Sequence, residues 1–288
     1  MMKDLIEALP KSDFKDEVIE RFVLIFLILQ NKGLNYDTIF CVLNEIYFIR
    51  DLFSKKEEIP LLEDFYLPHA KYHLKNGNLF YANLRYIIIR DSNLQNINLQ
   101  GADLRHANLQ NSNLQNSNLQ NANFQETNLR DSDLQGADLC NINLRGSDLY
   151  GINFGSANLK CAGLKYANLQ HAILWNANLQ HAILWNANLK YANLQHANLR
   201  GANLQHAILW NADLRHANLQ NSNLRYADLR HANLQNSNLQ NSNLRYADLR
   251  YADLRYADLR NADLQGADTR GSNTQGANLL FIKGWKKR

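Results

Sequence analysis

The sequence predicts a mainly β chain wound as a solenoid behind a small all-α segment, and three observations carry that prediction. All three prolines, Pro10, Pro60 and Pro68, lie in the first quarter of the 288 residues, and the rest is dominated by Leu, Asn, Ala, Gln, Asp and Arg. From Leu79 to Leu279 every fifth residue is Leu, with five exceptions in 41 positions: Ile89, Phe124, Phe154, Thr269 and Thr274. Two residues before this centre stands Ala, Ser or occasionally Ile or Thr, and just before it Asn or Asp, so the unit reads A-(N/D)-L-x-x without a slip of frame. Asn/Gln-rich low complexity ordinarily signals disorder, but so regular a return of an apolar residue calls for a packed interior.

Simple elements do not accommodate this period. On an α-helix, at about 100° per residue, a spacing of five would scatter the leucines around the circumference. In a flat strand, whose side chains alternate with period two, the same spacing would send successive leucines to opposite faces. A chain that bends the same way after every fifth residue keeps the centre and the small residue pointing at one axis. The absence of proline after Pro68 suits a backbone ladder between coils, because proline donates no hydrogen bond.

Units such as Gly101-Ala-Asp-Leu-Arg, His171-Ala-Ile-Leu-Trp and Tyr251-Ala-Asp-Leu-Arg resemble the pentapeptide-repeat family. The resemblance implies a right-handed quadrilateral β-helix with four pentapeptides per coil, one per face. It would span 77–280 in about ten coils, which at about 4.8 Å per coil make a rod of roughly 50 Å. Burying each Leu contributes about 1.5–3 kcal/mol, so some forty of them offset the ordering of a polar chain. Stacked coils complete each other's core, and the two end coils need caps.

Residues 1–76 lack the repeat and read as a helical domain that caps the first coil and is open to a further partner. Ser12 or Asp13 starts a helix with Phe14, Val18 and Phe22 on one stripe and Gly33 as its stop; a second runs from Asp37 to Phe53, and Pro60 and Pro68 punctuate a shorter third segment. The longest apolar run, Phe22 to Leu29, is eight residues, too short for a membrane span, and the acidic residues before it do not fit a secretory signal. Cys41, Cys140 and Cys161 form no disulfide framework or zinc pattern, so a cytoplasmic location is expected.

Catalytic motifs are absent: there is no G-x-x-x-x-G-K-[ST], G-x-S-x-G or H-E-x-x-H, and no enzyme, cofactor or metal site is expected. His196 and His216 share a column but lack a third ligand. The outward residues are more informative. With four units per coil, residues 20 apart stack, and six of ten are basic in each of two adjacent columns, Arg85 to Arg245 and Arg90 to Arg270. Towards the C-terminus Arg225, Arg230, Arg245, Arg250 and Arg270 interleave with Tyr226 and Tyr246, a combination suited to phosphates and stacked bases or to an acidic protein surface. The opposing reading is a solvated ladder, since Asp228, Asp248 and Asp268 precede Arg230, Arg250 and Arg270 by two residues.

Three units H-A-I-L-W replace the outward Asn or Asp with Ile173, Ile183 and Ile208 and add Trp175, Trp185 and Trp210. They fall on three different faces, with Trp185 and Trp210 expected at a shared corner. They read either as interface anchors or as duplication, since residues 171–180 and 181–190 are near-identical. Leu280, with Phe281, Ile282 and Trp285 of the tail 281–288, is expected to cover the open end, which the resemblance implies can also serve as a dimer contact.

The expected function is therefore non-enzymatic protein interaction or scaffolding on a rigid rod, with a protein partner and a homodimer contact at the C-terminal end. The alternative is a nucleic-acid-associated or DNA-topoisomerase (gyrase) modulating protein. Against it, gyrase modulation by DNA mimicry, which the resemblance brings with it, needs a strongly negative surface, whereas this chain carries a net charge of +4.

Overall fold

The computed structural model describes residues 75–285, except 78 and 83. The chain divides into two compact units, Met1–Glu57 and Glu58–Arg288, and every described residue belongs to the second. The helices expected before residue 54 and the segment around Pro60 and Pro68 lie outside the described residues.

Every fifth residue turns the chain. The residue two after each centre has a positive φ, from Asn76 at 60° to Phe281 at 59°, without exception. That conformation costs most L-residues about 1–2 kcal/mol, which is why so many of these positions hold Asn or Gly. Each turn is closed by the small residue, as where the Ala107 N–H donates to the Leu104 carbonyl at 3.0 Å. Between turns the chain is extended and forms one side; after four sides it lies upon itself. Ile88 bridges Asn108, Asp103 bridges Asn123, and the parallel bridges continue at a spacing of 20 to Asp263 with Lys283.

The backbone account closes within each unit. The Leu104 N–H donates to Asn123 O at 2.7 Å and the His106 N–H to Gln125 O at 3.1 Å, both one coil on, while the Asn123 N–H donates back to Ala102 O at 2.8 Å. One donor is left, the N–H just after the centre, and the side chain of the unit's own Asn or Asp accepts it. The Arg105 N–H reaches Asp103 Oδ1 at 3.2 Å, and this bond recurs along the rod from Asn93 to Asn278. A short side chain ending in an acceptor is what such a turn requires, so the Asn/Asp preference is a backbone requirement.

Inside, the centres from Leu94 to Leu264 are at most 1% exposed, Phe124 and Phe154 included. Serines in the small position keep the interior satisfied by donating to carbonyls: Ser117 Oγ to Leu94 O at 3.0 Å, Ser147 Oγ to Phe124 O at 2.6 Å, Ser237 Oγ to Leu234 O at 2.7 Å. Thr269 and Thr274, the two polar centres, fall in the last coil, where no later coil covers them and both are half-buried.

Candidate interaction surface

Because the interior and the ladder consume two positions and the backbone of every unit, only the Asn/Asp slot and the two corner residues face outward. Four corners result. The Arg225 corner stacks residues 145, 165, 185, 205, 225 and 245; five residues on, the Arg230 corner stacks 190, 210, 230, 250 and 270. The Arg255 corner follows with 175, 195, 215, 235 and 255, and the Arg200 corner completes the coil with 140, 160, 180, 200, 220 and 240.

At the Arg230 corner the aspartates neutralise the arginines. Arg230 lies 2.7 Å from Asp228 and 3.6 Å from Asp248, Arg250 lies 2.7 Å from Asp248 and 3.7 Å from Asp268, and Arg270 ends the ladder 2.6 Å from Asp268. Such solvated pairs contribute about 0–1 kcal/mol each. Hydrogen bonds from Arg270 hold the Asp268 carboxyl down to about 2. A carboxyl with a depressed pKa stabilises the fold fully above its unfolded value of about 3.9 and loses that contribution as pH falls through the folded value. Acid titration followed by carboxyl NMR will place Asp268 near 2, and its pair with Arg270 will come apart only between about pH 4 and that value.

The Arg225 corner differs. Arg225 and Arg245 follow Asn223 and Asn243, and neither forms an ion pair among the described residues. The Nε atoms of both are buried without a hydrogen-bond partner, and each guanidinium lies over the ring of the next residue, 5.3 Å for Tyr226 and 5.7 Å for Tyr246. The rings stack along the rod: His206 on Tyr226 at 4.9 Å and Tyr226 on Tyr246 at 5.1 Å, with planes 6° and 8° apart. Tyr246 lies over Gly266, where a Cβ would sit 2.5 Å from its ring. The ring faces are thus spent on one another, and only edges and hydroxyls remain outside. Stacking of nucleobases between these rings, one of the expectations from the sequence, is not offered.

The three Trp units fall on three different faces, as expected, but the shared corner expected for two of them does not hold. Trp185 and Trp210 stand at adjacent corners, on the two edges of one face, and do not share a corner, because their positions differ by 25 residues and a coil takes 20. The indoles are half-buried: Trp185 packs edge-on against Tyr166 at 4.9 Å, Trp210 likewise against Tyr191 at 5.0 Å, and Trp175 covers Gly155. Ile173 and Ile183 are each 38% exposed, while Ile208 is half-buried.

Eight copies of the family pattern described as pentapeptide repeats match the chain, at 78–121, 107–146, 137–176, 167–205, 197–236, 222–260, 232–268 and 255–280. The chain belongs to the pentapeptide-repeat family. Its repeat region is accordingly a right-handed quadrilateral β-helix. Among solved pentapeptide-repeat proteins it is similar to HetL, involved in heterocyst differentiation regulation in the cyanobacterium Nostoc sp. strain PCC 7120, with 35% identity over 71% of this chain and 90% of that one and a TM-score of 0.57. QnrB1, a plasmid-mediated fluoroquinolone resistance protein, aligns at 16% identity over 72% and 84% with a TM-score of 0.38. Rfr23 from the cyanobacterium Cyanothece 51142 aligns at 25% identity over 49% and 58% with a TM-score of 0.19. No curated protein matches the chain.

The C-terminal end of this pentapeptide-repeat rod is only partly covered. Ile282 and Trp285 pack against the core, but Leu280 and Phe281 are corner residues and project outward, 58% and 78% exposed. The last coil leaves the N–H groups of Thr269, Gly271, Thr274, Gly276 and Leu279 without a backbone acceptor among the described residues. Gly284 has φ 72°, and a Cβ there would lie 2.5 Å from Gln265 Cα, so the chain leaves the lattice at a residue only glycine fits.

His196 and His216 stack face to face at 4.8 Å. No group of three metal-ligating side chains occurs among the described residues. Cys140 and Cys161, at the Arg200 corner, are free thiols; burial, with Asp138 and Cys161 adding to it, raises the Cys140 thiol. No described helix is long and apolar enough to cross a membrane.

Proposed function

We propose that this protein is a non-enzymatic interaction scaffold whose rod displays fixed rows of side chains to a protein partner. The observation that carries this reading is the cost accepted by the H-A-I-L-W units. Where Ile173, Ile183 and Ile208 stand in the Asn/Asp slot, the N–H of Trp175, Trp185 or Trp210 has lost its side-chain acceptor, and Ile gains no place in the core in return. An exchange that weakens the lattice and puts apolar surface outside favours binding over stability.

Chemical cross-linking in cells followed by recovery of the full chain tests this. Restoring the consensus with Ile173→Asn, Ile183→Asn and Ile208→Asn together will leave the thermal midpoint unchanged or raised and will remove the proteins recovered with the parent chain. Recovery of the same proteins by the triple variant will count the units as mere repeats of a tolerated sequence.

A further inference from the structure

The face between the Arg200 and Arg225 corners holds a feature that the lattice does not require. Over six consecutive coils its residues, 140–146, 160–166, 180–186, 200–206, 220–226 and 240–246, include no Asp or Glu. They include Arg145, Lys160, Lys165, Arg200, Arg225 and Arg245, none of which forms an ion pair among the described residues. Across the Arg225 corner the next face carries Asp148, Asp228 and Asp248, so the excess of positive charge belongs to this face and not to the rod as a whole.

At its middle the Asn/Asp slot is occupied by Gly163, followed one coil later by Ile183. Gly163 has no positive φ, and the atoms nearest a Cβ there would be Asn143 Oδ1 at 3.7 Å, Ile142 O at 3.7 Å and Asn143 Cα at 3.9 Å, all ordinary contacts. Backbone geometry and the space at Cβ would both accept a side chain, and Asn fills this slot along most of the rod. Its absence leaves a notch beside Ile183, and Lys160 and Lys165 stand at the two corners of the same coil, both exposed. A gap walled by Ile183 on one side and by the Asn143 side chain and Ile142 carbonyl on the other, and flanked by unpaired cations, has the layout of a binding centre with a charged rim.

We propose that this face docks an acidic protein surface which inserts an apolar side chain into the notch at Gly163 against Ile183, while its carboxylates meet the unpaired Lys and Arg residues. The proposal rests on the scaffold reading above and supplies the chemistry of the partner. A protein surface fits better than a nucleic acid because His206, Tyr226 and Tyr246 are stacked on each other, while beside the notch Tyr166 and Trp185 pack edge to face and Trp185 lies against His206, so the corner offers no row of open ring faces to successive bases.

Fluorescence anisotropy on the full chain, with labelled polyglutamate, a random glutamate–tyrosine copolymer and duplex DNA as probes, tests it without any cellular partner. The copolymer will bind at least tenfold more tightly than polyglutamate, and DNA more weakly than the copolymer. Gly163→Asn will abolish the copolymer's advantage while leaving the melting transition intact, and Ile183→Asn will do the same by removing the wall of the notch. Lys165→Gln with Arg225→Gln and Arg245→Gln will weaken both acidic polymers at least tenfold, whereas Arg255→Gln with Arg260→Gln, whose parents are paired with Asp253 and Asp258, will change them less than twofold. DNA binding equal to the copolymer's, an undiminished advantage in both notch variants, or equal losses in the two arginine sets will each overturn the proposal. Failure of the cross-linking experiment with success here separates the general reading from this site.

Discussion

Leu194→Asp will break the rod in two. Leu194 is fully buried at mid-rod, its N–H donates to Asp213 O at 2.7 Å, and its side chain meets only the apolar residues of its own coil and the two beside it. Truncating such a leucine to Ala costs about 2–5 kcal/mol. A carboxylate in its place adds several kcal/mol more, because an interior one side chain deep holds nothing that pairs with it. In a solenoid whose stability is a sum over neighbouring coils, that cost is local: the affected coil opens while those on either side hold. Guanidinium unfolding followed by far-UV circular dichroism will therefore show two transitions where the parent shows one broad one. Thr269→Asp, in the half-exposed last coil, will shift the curve by less than about 1 kcal/mol. A single unshifted transition for Leu194→Asp would sink this account of the core.

The turn position makes the second large prediction. Asn211 has φ 54°, and its N–H donates to Arg230 O at 3.1 Å. Asn211→Pro removes that donor and forces φ to about −65°, which the turn cannot use, and the loss will be about 3 kcal/mol or more. Asn211→Gly keeps the donor and enters positive φ freely, so its effect will stay within about 1 kcal/mol. Both are surface substitutions at one residue, and burial alone would rank them as equals; urea melts of the pair distinguish a conformational cause from a packing one.

Most of this architecture could be read from residues because each unit solves the same problem. The Leu centre, the small residue and the 20-residue column all emerge from period five and the resemblance, and the buried positions from Leu94 to Leu264 agree with them. What escaped was part of the meaning of the outward residues. The sequence already sets Asp228, Asp248 and Asp268 against Arg230, Arg250 and Arg270, and the ion pairs form there; what the column count hides is that Arg225 and Arg245, after Asn223 and Asn243, stay outside that ladder. An N-L-R unit does not settle this by itself, since Arg130, after Asn128, reaches Asp148 one coil on at 3.1 Å. The mutual stacking of His206, Tyr226 and Tyr246 was less accessible, since stacking partners follow from ring orientation and not from column membership. Leu280 and Phe281 looked like a cover by hydrophobicity, but the turn phase puts both at a corner, while Ile282 takes the inward slot.

The closed hydrogen-bond account of each unit makes the molecule behave like a combination dial. Adding or deleting one pentapeptide leaves every core contact and every backbone bond of the ordinary kind intact, yet it rotates everything downstream by one side. Ten residues carry a motif to the opposite side, as the near-identical decamers at 171–180 and 181–190 do with Ile173 and Ile183. Twenty residues lengthen the rod and return each side chain to its own column. The packing of each coil is thus almost blind to such changes, whereas recognition is acutely sensitive to them, and a deletion of five residues keeps the lattice while it dismantles a surface that spans several coils.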